Sequence, residues 1–86
     1  MKIARTARFK KAWEQLSKGE KSLARKAITN LALDIRYPAL RVKKIKGVKG
    51  IWEARISLSL RMTFQIEGNT ILLRNIGHHD ETVSRP

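Results

Sequence analysis

The sequence predicts an α+β fold, with a short N-terminal strand, a two-helix hairpin and then an antiparallel sheet of about four strands. Two observations predict this order. Apolar residues recur at helical spacing as far as residue 35, and they alternate with polar residues from residue 52 onward. A chain of 86 residues has the size of one domain, so a single domain is expected to span residues 1–86.

Two segments in the first half have the apolar period of amphipathic helices, and a short strand, Lys2–Arg5, is expected before them. The first helix is predicted over Ala7–Ser17, and Ser17–Gly19 is expected to end it. The second is predicted over Glu20–Ile35, because Tyr37-Pro38 disfavours the α conformation. The predicted inward positions are Phe9, Ala12, Trp13 and Leu16 in the first helix, and Leu23, Ala27, Ile28, Leu31, Ala32 and Ile35 in the second.

The second half has the period of two that is typical of half-buried strands. Strands are predicted over Trp52–Leu58 and Leu60–Glu67, with their apolar side chains toward the helices. Gly68-Asn69 supplies a turn to a third strand, Thr70–Ile76, which is apolar on both faces and is therefore expected inside the sheet. A basic strand or extended segment, Leu40–Lys46, precedes them.

The charge is large and unevenly distributed along the chain. Nineteen Lys and Arg against seven Asp and Glu give a net charge of +12. Residues 1–50 hold fifteen basic and three acidic residues, whereas residues 51–86 hold four of each. A field of this size attracts polyanions, so nucleic acid, an acidic protein or both are the expected partners. Neither predicted helix combines a basic face with bulky residues that would anchor it at a membrane interface, so a membrane surface is not expected as a partner.

Several other classes of protein are disfavoured by the composition. There is no cysteine, which excludes a disulfide framework and a thiolate zinc site. No apolar run approaches the roughly 18 residues that cross a membrane. The N-terminus has no apolar segment typical of a signal peptide, so a cytoplasmic location is expected.

The polar positions of the predicted strands form a candidate site. By alternation they should all emerge on the sheet face opposite the helices, and burying them there would be costly. An open or cleft-like face is therefore expected, although an ordinary solvated sheet face would have the same pattern. The positions are Glu53, Arg55, Ser57, Arg61, Thr63 and Gln65.

Two adjacent histidines follow the third strand in the segment Gly77–Glu81. His78 and His79 would add proton-transfer and anion-binding capacity beside the arginines. Neighbouring residues of an extended chain point in opposite directions, and no third histidine exists, so neither a metal ion nor another cofactor is expected. Ser57 and Ser59 lack the surroundings of a nucleophile, and Gly47–Gly50 lacks the spacing of a phosphate-binding loop.

The chain resembles the RelE/ParE toxin superfamily over nearly its whole length. The two-helix start and four later segments carry the resemblance, and their order and spacing are more specific than any one of them. The segments are Leu40–Gly47, Ile51–Ile56, Leu60–Ile66 and Ile76–Asp80.

The resemblance implies a microbial RNase-like fold that enters the ribosomal A site and cuts messenger RNA. In that chemistry the 2′-hydroxyl attacks the adjacent phosphate, which requires a base, an acid and cations that stabilise the transition state. Arg61 matches the phosphate-stabilising arginine of the family, and Arg55 is expected to assist it. Glu53 or His79 would be the base and His78 or His79 the acid. The segment Thr82–Pro86 departs from the family because it has no tyrosine.

The resemblance also implies partners and alternatives. A cognate acidic antitoxin, the ribosome and messenger RNA are the expected partners, with the toxin in a toxin–antitoxin hetero-oligomer. A ParE-like gyrase poison and a non-catalytic RNA-binding module remain alternative functions on the same fold. The residues expected to bind RNA are Arg41, Lys43, Lys44, Lys46, Lys49 and Trp52.

We expect the basic segment to provide much of the affinity for RNA or ribosomes. Replacing Lys43, Lys44 and Lys46 together by Ala should flatten the slope of log affinity against log salt concentration. Each lost phosphate contact should remove about 0.7–0.9 from the slope, because fewer counterions are released on binding. A binding titration at several salt concentrations measures this, and an unchanged slope would contradict it.

Overall fold

A computed structural model describes all residues, 1–86, and its elements follow the predicted order with one helix added at the C-terminal end. A short 3-10 turn, Pro38–Leu40, lies between the helical and sheet halves. No helix has the length and apolar character needed to cross a membrane. The elements are β1 (Lys2–Arg5), α1 (Ala7–Glu14), α2 (Lys18–Leu33), β2 (Lys43–Lys44), β3 (Trp52–Arg55), β4 (Leu60–Glu67), β5 (Thr70–His78) and α3 (His79–Ser84).

The five strands form one mixed sheet in the order β1-β5-β4-β3-β2. β3, β4 and β5 form the predicted antiparallel meander, with β2 at one edge. β1 pairs with β5 in parallel at the other edge, so β5 lies inside the sheet as its apolar character predicts. The α+β prediction is confirmed, and the parallel edge pair adds to it. Strand pairing between the two ends of a chain depends on how the helices fold back, which local periodicity does not encode.

The start of α2 differs from the prediction at Ser17. This residue was expected to end the first helix, but α1 ends at Glu14 and Ser17 is the N-cap of α2. The Ser17 hydroxyl accepts a hydrogen bond from the Glu20 amide at 3.1 Å, and the Glu20 carboxylate accepts one from the Ser17 amide at 2.8 Å. This reciprocal capping box satisfies two amides that a helix start otherwise leaves without partners.

The end of α2 and its inward face also differ slightly from the prediction. The helix ends at Leu33, because the Asp34 carboxylate accepts a hydrogen bond from the Arg36 amide at 2.9 Å and so favours a turn. Leu23 was expected to face the core but is half-exposed, and Ala24 is buried instead. The small side chain of Ala24 lets the start of α2 lie closer to its neighbours.

A bulge in the β4–β5 pair explains why Ile76 departs from the alternation that Ile71 and Leu73 follow. Thr63 pairs with Asn75, whereas Phe64 pairs with Leu73, which leaves Arg74 as one extra residue in β5. An extra residue reverses the alternation of side chains beyond it. The residues that consequently share the core face of β5 are Ile71, Leu73 and Ile76.

The core lies between the two long helices and one face of the sheet. Phe9 from α1 and Leu31 from α2 pack there with Met62 and Phe64 of β4, all of them buried. β3 ends at Arg55 rather than at the predicted Leu58, which lies in the β3–β4 turn with 81% of its surface exposed. Leu58 was predicted to point inward, and that prediction is wrong because the alternation stops where the strand stops.

The added helix, α3, covers part of the sheet face that was expected to be open. It packs over β4 and β5, where Thr63 and Thr82 are both almost fully buried. Asp80 and Glu81 in its first turn complement the positive end of a helix, and this pattern could have predicted the element. The polar sheet face is thus divided into a covered part over β4–β5 and an open part over β2–β4.

The capping box predicts a pH-dependent contribution to stability. Hydrogen bonding to the Ser17 backbone and side chain, with a smaller effect of the His78 charge, holds the pKa of Glu20 below its usual range. The charged carboxylate therefore stabilises the fold above its unfolded-state pKa of about 4.3. This contribution should be lost as the pH falls through the lower folded-state pKa.

Between pH 6 and about pH 3, Glu20→Gln should lose less unfolding free energy than the wild type. Denaturant titrations measure this, with Glu14→Gln at the end of α1 as the control. A Glu20→Gln profile parallel to the wild-type profile would contradict it.

Candidate functional site

The open part of the polar face contains a small cleft of about 190 Å³. Its walls come from β2, β3, β4, the residue after the 3-10 turn and the first residue of α3. None of the lining residues is apolar. They are Arg41, Lys43, Glu53, Arg55, Arg61 and His79. The structure thus brings together four of the five predicted catalytic residues and two of the predicted RNA-binding ones.

Strand register places these side chains on one face. Glu53 and Arg55 are two residues apart on β3, so they point to the same side of the sheet. Lys43 pairs with Glu53 across β2 and β3, and Arg55 pairs with Arg61 across β3 and β4. Like charges placed directly opposite each other destabilise a sheet. A bound anion would remove this repulsion between the two arginines.

Glu53 is the buried carboxylate of the cleft. Only 5% of the residue is exposed, and its Oε1 lies 3.2 Å from Lys43 Nζ. Its other oxygen, Oε2, is buried without a hydrogen-bond donor. A buried polar atom without a partner is costly, so Oε2 is well suited to accept a hydrogen bond or a proton from a bound ligand.

Arg61 is held in place by the turn that precedes it. One terminal nitrogen of its guanidinium donates to the carbonyls of Ser57 at 2.6 Å and of Leu58 at 3.1 Å. The same turn is closed by the Leu60 amide, which donates to the Ser57 hydroxyl at 3.2 Å. These bonds fix one side of the guanidinium and leave its other N–H groups for two phosphate oxygens.

His79 enters the cleft from the start of α3. Its amide donates to the Ser59 carbonyl at 2.8 Å, which ties the histidine backbone to the β3–β4 turn. Its ring Nδ1 lies 3.2 Å from a carboxylate oxygen of the exposed Asp80. A carboxylate at one ring nitrogen orients the imidazole and leaves Nε2 to exchange a proton with a ligand. Asp80 was not among the predicted site residues.

The cleft is strongly electropositive. Four cationic side chains surround one carboxylate there, and none of the three salt bridges in the chain includes an arginine. Arg41 has a left-handed backbone, with φ 45° and ψ 49°, which non-glycine residues seldom adopt. Strained backbone of this kind is common at functional sites. The arrangement suits an anion such as a phosphate diester.

The remaining predicted residues lie outside the cleft. His78 is the last residue of β5, and its Nε2 lies 3.7 Å from the Glu20 carboxylate at the start of α2. Adjacent residues at the end of a strand point to opposite sides, which separates His78 from His79. Lys44 stands over the half-buried Trp52 ring at 5.3 Å. Lys46 and Lys49 are exposed in the turn between β2 and β3.

Comparison with known proteins finds matches among solved structures only. No protein-family description and no curated protein matches the chain. Solved structures do match. A metal-bound toxin from Helicobacter pylori is 28% identical with a TM-score of 0.78, covering 94% of this chain and 97% of that one. YafQ from E. coli is 14% identical with a TM-score of 0.78, covering 92% and 93%. A chain of the RelB–RelE antitoxin–toxin complex from Methanococcus jannaschii is 20% identical with a TM-score of 0.73, covering 87% and 88%.

The chain therefore has the same fold as the RelE-like toxins. The fold that the resemblance to the RelE/ParE superfamily implies is confirmed.

Proposed function

We propose that this chain is the toxin of a toxin–antitoxin pair and that it cleaves messenger RNA on the ribosome. The observation that carries the proposal is the cleft, where four cations, a buried carboxylate with a free oxygen and an oriented histidine meet. Cleavage of RNA through its own 2′-hydroxyl needs these three kinds of group. The likeness in fold to solved toxin structures supports the same conclusion.

The arginines would bind the scissile phosphate. The free N–H groups of Arg61 would donate to two phosphate oxygens, and Arg55 on the opposite strand would contact the same group. Negative charge increases on these oxygens as the 2′-oxygen attacks phosphorus. Donors that are already fixed by the turn stabilise that charge without having to reorganise.

Glu53 and His79 would move the protons. Glu53 Oε2 takes the proton of the 2′-hydroxyl, the 2′-oxygen forms a bond to phosphorus, and the bond to the 5′-oxygen breaks. His79 Nε2 gives its proton to the departing 5′-oxygen, leaving a 2′,3′-cyclic phosphate and a free 5′-hydroxyl. Lys43 neutralises Glu53 Oε1 and so directs the free oxygen toward the substrate. This chain lacks the C-terminal tyrosine of the family that it resembles, so His79 would act as the acid.

Substitutions in the cleft test these roles. Arg61→Ala should lower the single-turnover cleavage rate on ribosomes about 10²–10³-fold, because one fixed cation is lost. Arg61→Lys should remain impaired, since lysine keeps the charge without the planar fork. His79→Ala should cost about 10²–10⁴-fold and remove one limb of the pH–rate profile. His78→Ala should stay close to the wild-type rate, because His78 lies outside the cleft.

Arg36→Ala is the matched control, since this arginine is exposed and does not line the cleft. Ribosome binding should be measured separately for every variant. Equal cleavage by wild type, Arg61→Ala and His79→Ala, once bound, would contradict the assignment. Inhibition of DNA supercoiling without any RNA cleavage would favour the gyrase-poison alternative.

We propose an acidic antitoxin as the protein partner. The net charge of +12 is left without compensation on this small domain. Two solved structures with the same fold are antitoxin–toxin complexes, one from Methanococcus jannaschii and one from E. coli. Opposite charge on the partner would speed association and fix the orientation of the complex.

Co-expression with the product of the adjacent gene, which the proposal requires to be an acidic protein, tests the partner. A complex should form in which the toxin no longer inhibits translation, and its association rate should fall as salt screens the charges. A variant of the partner with its acidic residues replaced by their amides is the control, and it should associate more slowly. Recovery of this chain as a free and non-toxic monomer from the same cells would contradict the proposal.

A further inference from the structure

The C-terminal helix is seated on the sheet by a contact between Gly77 and Thr82. Thr82 is the only buried residue of α3, with 1% of its surface exposed. A Cβ added to Gly77 would lie 2.9 Å from Thr82 Oγ1, which is closer than packed atoms allow. The backbone of Gly77 does not have the positive φ of Gly47, Gly50 and Gly68. Glycine is therefore needed at position 77 for space and not for conformation.

The two ends of α3 are tied to the sheet and to α1. At its start the His79 amide donates to the Ser59 carbonyl. Beyond its end, the carbonyls of Arg85 and Pro86 accept hydrogen bonds from side chains of three other elements. The donors to Arg85 are Arg8 at 2.6 Å and Asn75 at 2.9 Å, and the donors to Pro86 are Thr63 at 3.1 Å and Arg74 at 3.2 Å.

A helix of six residues has little stability of its own, so its position is set by such contacts. His79 is the first residue of α3 and lines the cleft, whereas Thr82 lies one turn later against Gly77. The two side chains lie one turn apart in the same short helix, so we expect a shift of the helix backbone at Thr82 to move His79 as well. Thr82 is β-branched and enclosed, which disfavours relief of the contact by rotation of its side chain.

We propose that Gly77 and Thr82 form an interlock that positions His79 in the cleft. Neither residue lines the cleft together with the arginines, so both act through His79 and are positioning residues. The consequence for activity rests on the proposed RNA cleavage, whereas the consequence for the placement of His79 does not. A displacement of about 1 Å at a catalytic group can cost roughly 100-fold in rate.

A pair of complementary substitutions tests the interlock. Gly77→Ala should lower single-turnover cleavage roughly tenfold or more, up to about 100-fold, with RNA binding retained. Thr82→Ala should have a smaller effect, because it leaves a gap without pushing α3 away. In the double variant the new methyl group fills the space of the lost Thr82 side chain. The double variant should therefore cleave faster than Gly77→Ala alone.

A second measurement follows the histidine directly. The NMR resonances of the His79 ring should shift in Gly77→Ala and return toward their wild-type positions in the double variant. Gly19→Ala is the matched control, since nothing lies within 4 Å of a Cβ added there. Thermal unfolding of each variant identifies the temperatures at which all are folded, and the rates are compared there.

Rescue of both the rate and the ring resonances by Thr82→Ala would support the interlock. A Gly77→Ala variant with wild-type resonances would overturn it, as would a folded double variant with the same displaced resonances as Gly77→Ala. If the wild type itself does not cleave RNA, the proposed function fails, and the resonances still decide the interlock. If Gly77→Ala does not fold, the double variant decides, because the interlock requires it to fold with His79 in place.

Discussion

The pairing of β4 with β5, including the extra residue at Arg74, determines which side chains of the two longest strands enter the core. Before the bulge, Ile71 and Leu73 face the helices, and after it Ile76 does. The same change of alternation turns Gly77 toward the other face, opposite Arg61. Without the extra residue, Ile76 would lie opposite Arg61 on that face, at the position where α3 packs against Gly77. The core and the cleft thus depend on one irregularity.

The cleft is an electrostatic arrangement that the folded chain tolerates at some cost. Arg55 and Arg61 are paired across two strands, and the only carboxylate that lines the cleft, Glu53, is engaged with Lys43. Unneutralised cations close together raise the energy of the free protein and strengthen its binding of an anion. Glu53 Oε2, buried without a donor, also raises the energy of the free protein, and a hydrogen bond from a ligand would remove that cost. The stabilising contacts lie elsewhere, in the apolar core and the capping box of α2.

The two adjacent histidines have different surroundings in the fold. The chain passes from β5 into α3 between them, so His78 faces the start of α2 and His79 faces the arginines. His78 contributes to the low pKa of Glu20, whereas His79 is oriented by Asp80. The helix α3 covers one half of the polar face, and its first residue, His79, lines the cleft in the other half. The packing of α3 on the covered half therefore sets the position of a side chain in the cleft.

The sequence alone was sufficient for the α+β class, the order of strand, helices and meander, and the shared face of Glu53, Arg55 and Arg61. These features follow from periods of 3.6 and two residues, which are local properties. Only the tertiary structure decided the parallel β1–β5 pair, the bulge at Arg74, the closing of α3 over Thr63 and the separation of His78 from His79. Each of these depends on contacts between residues distant in the chain or on a single extra residue. Periodicity within one segment carries no information about such contacts.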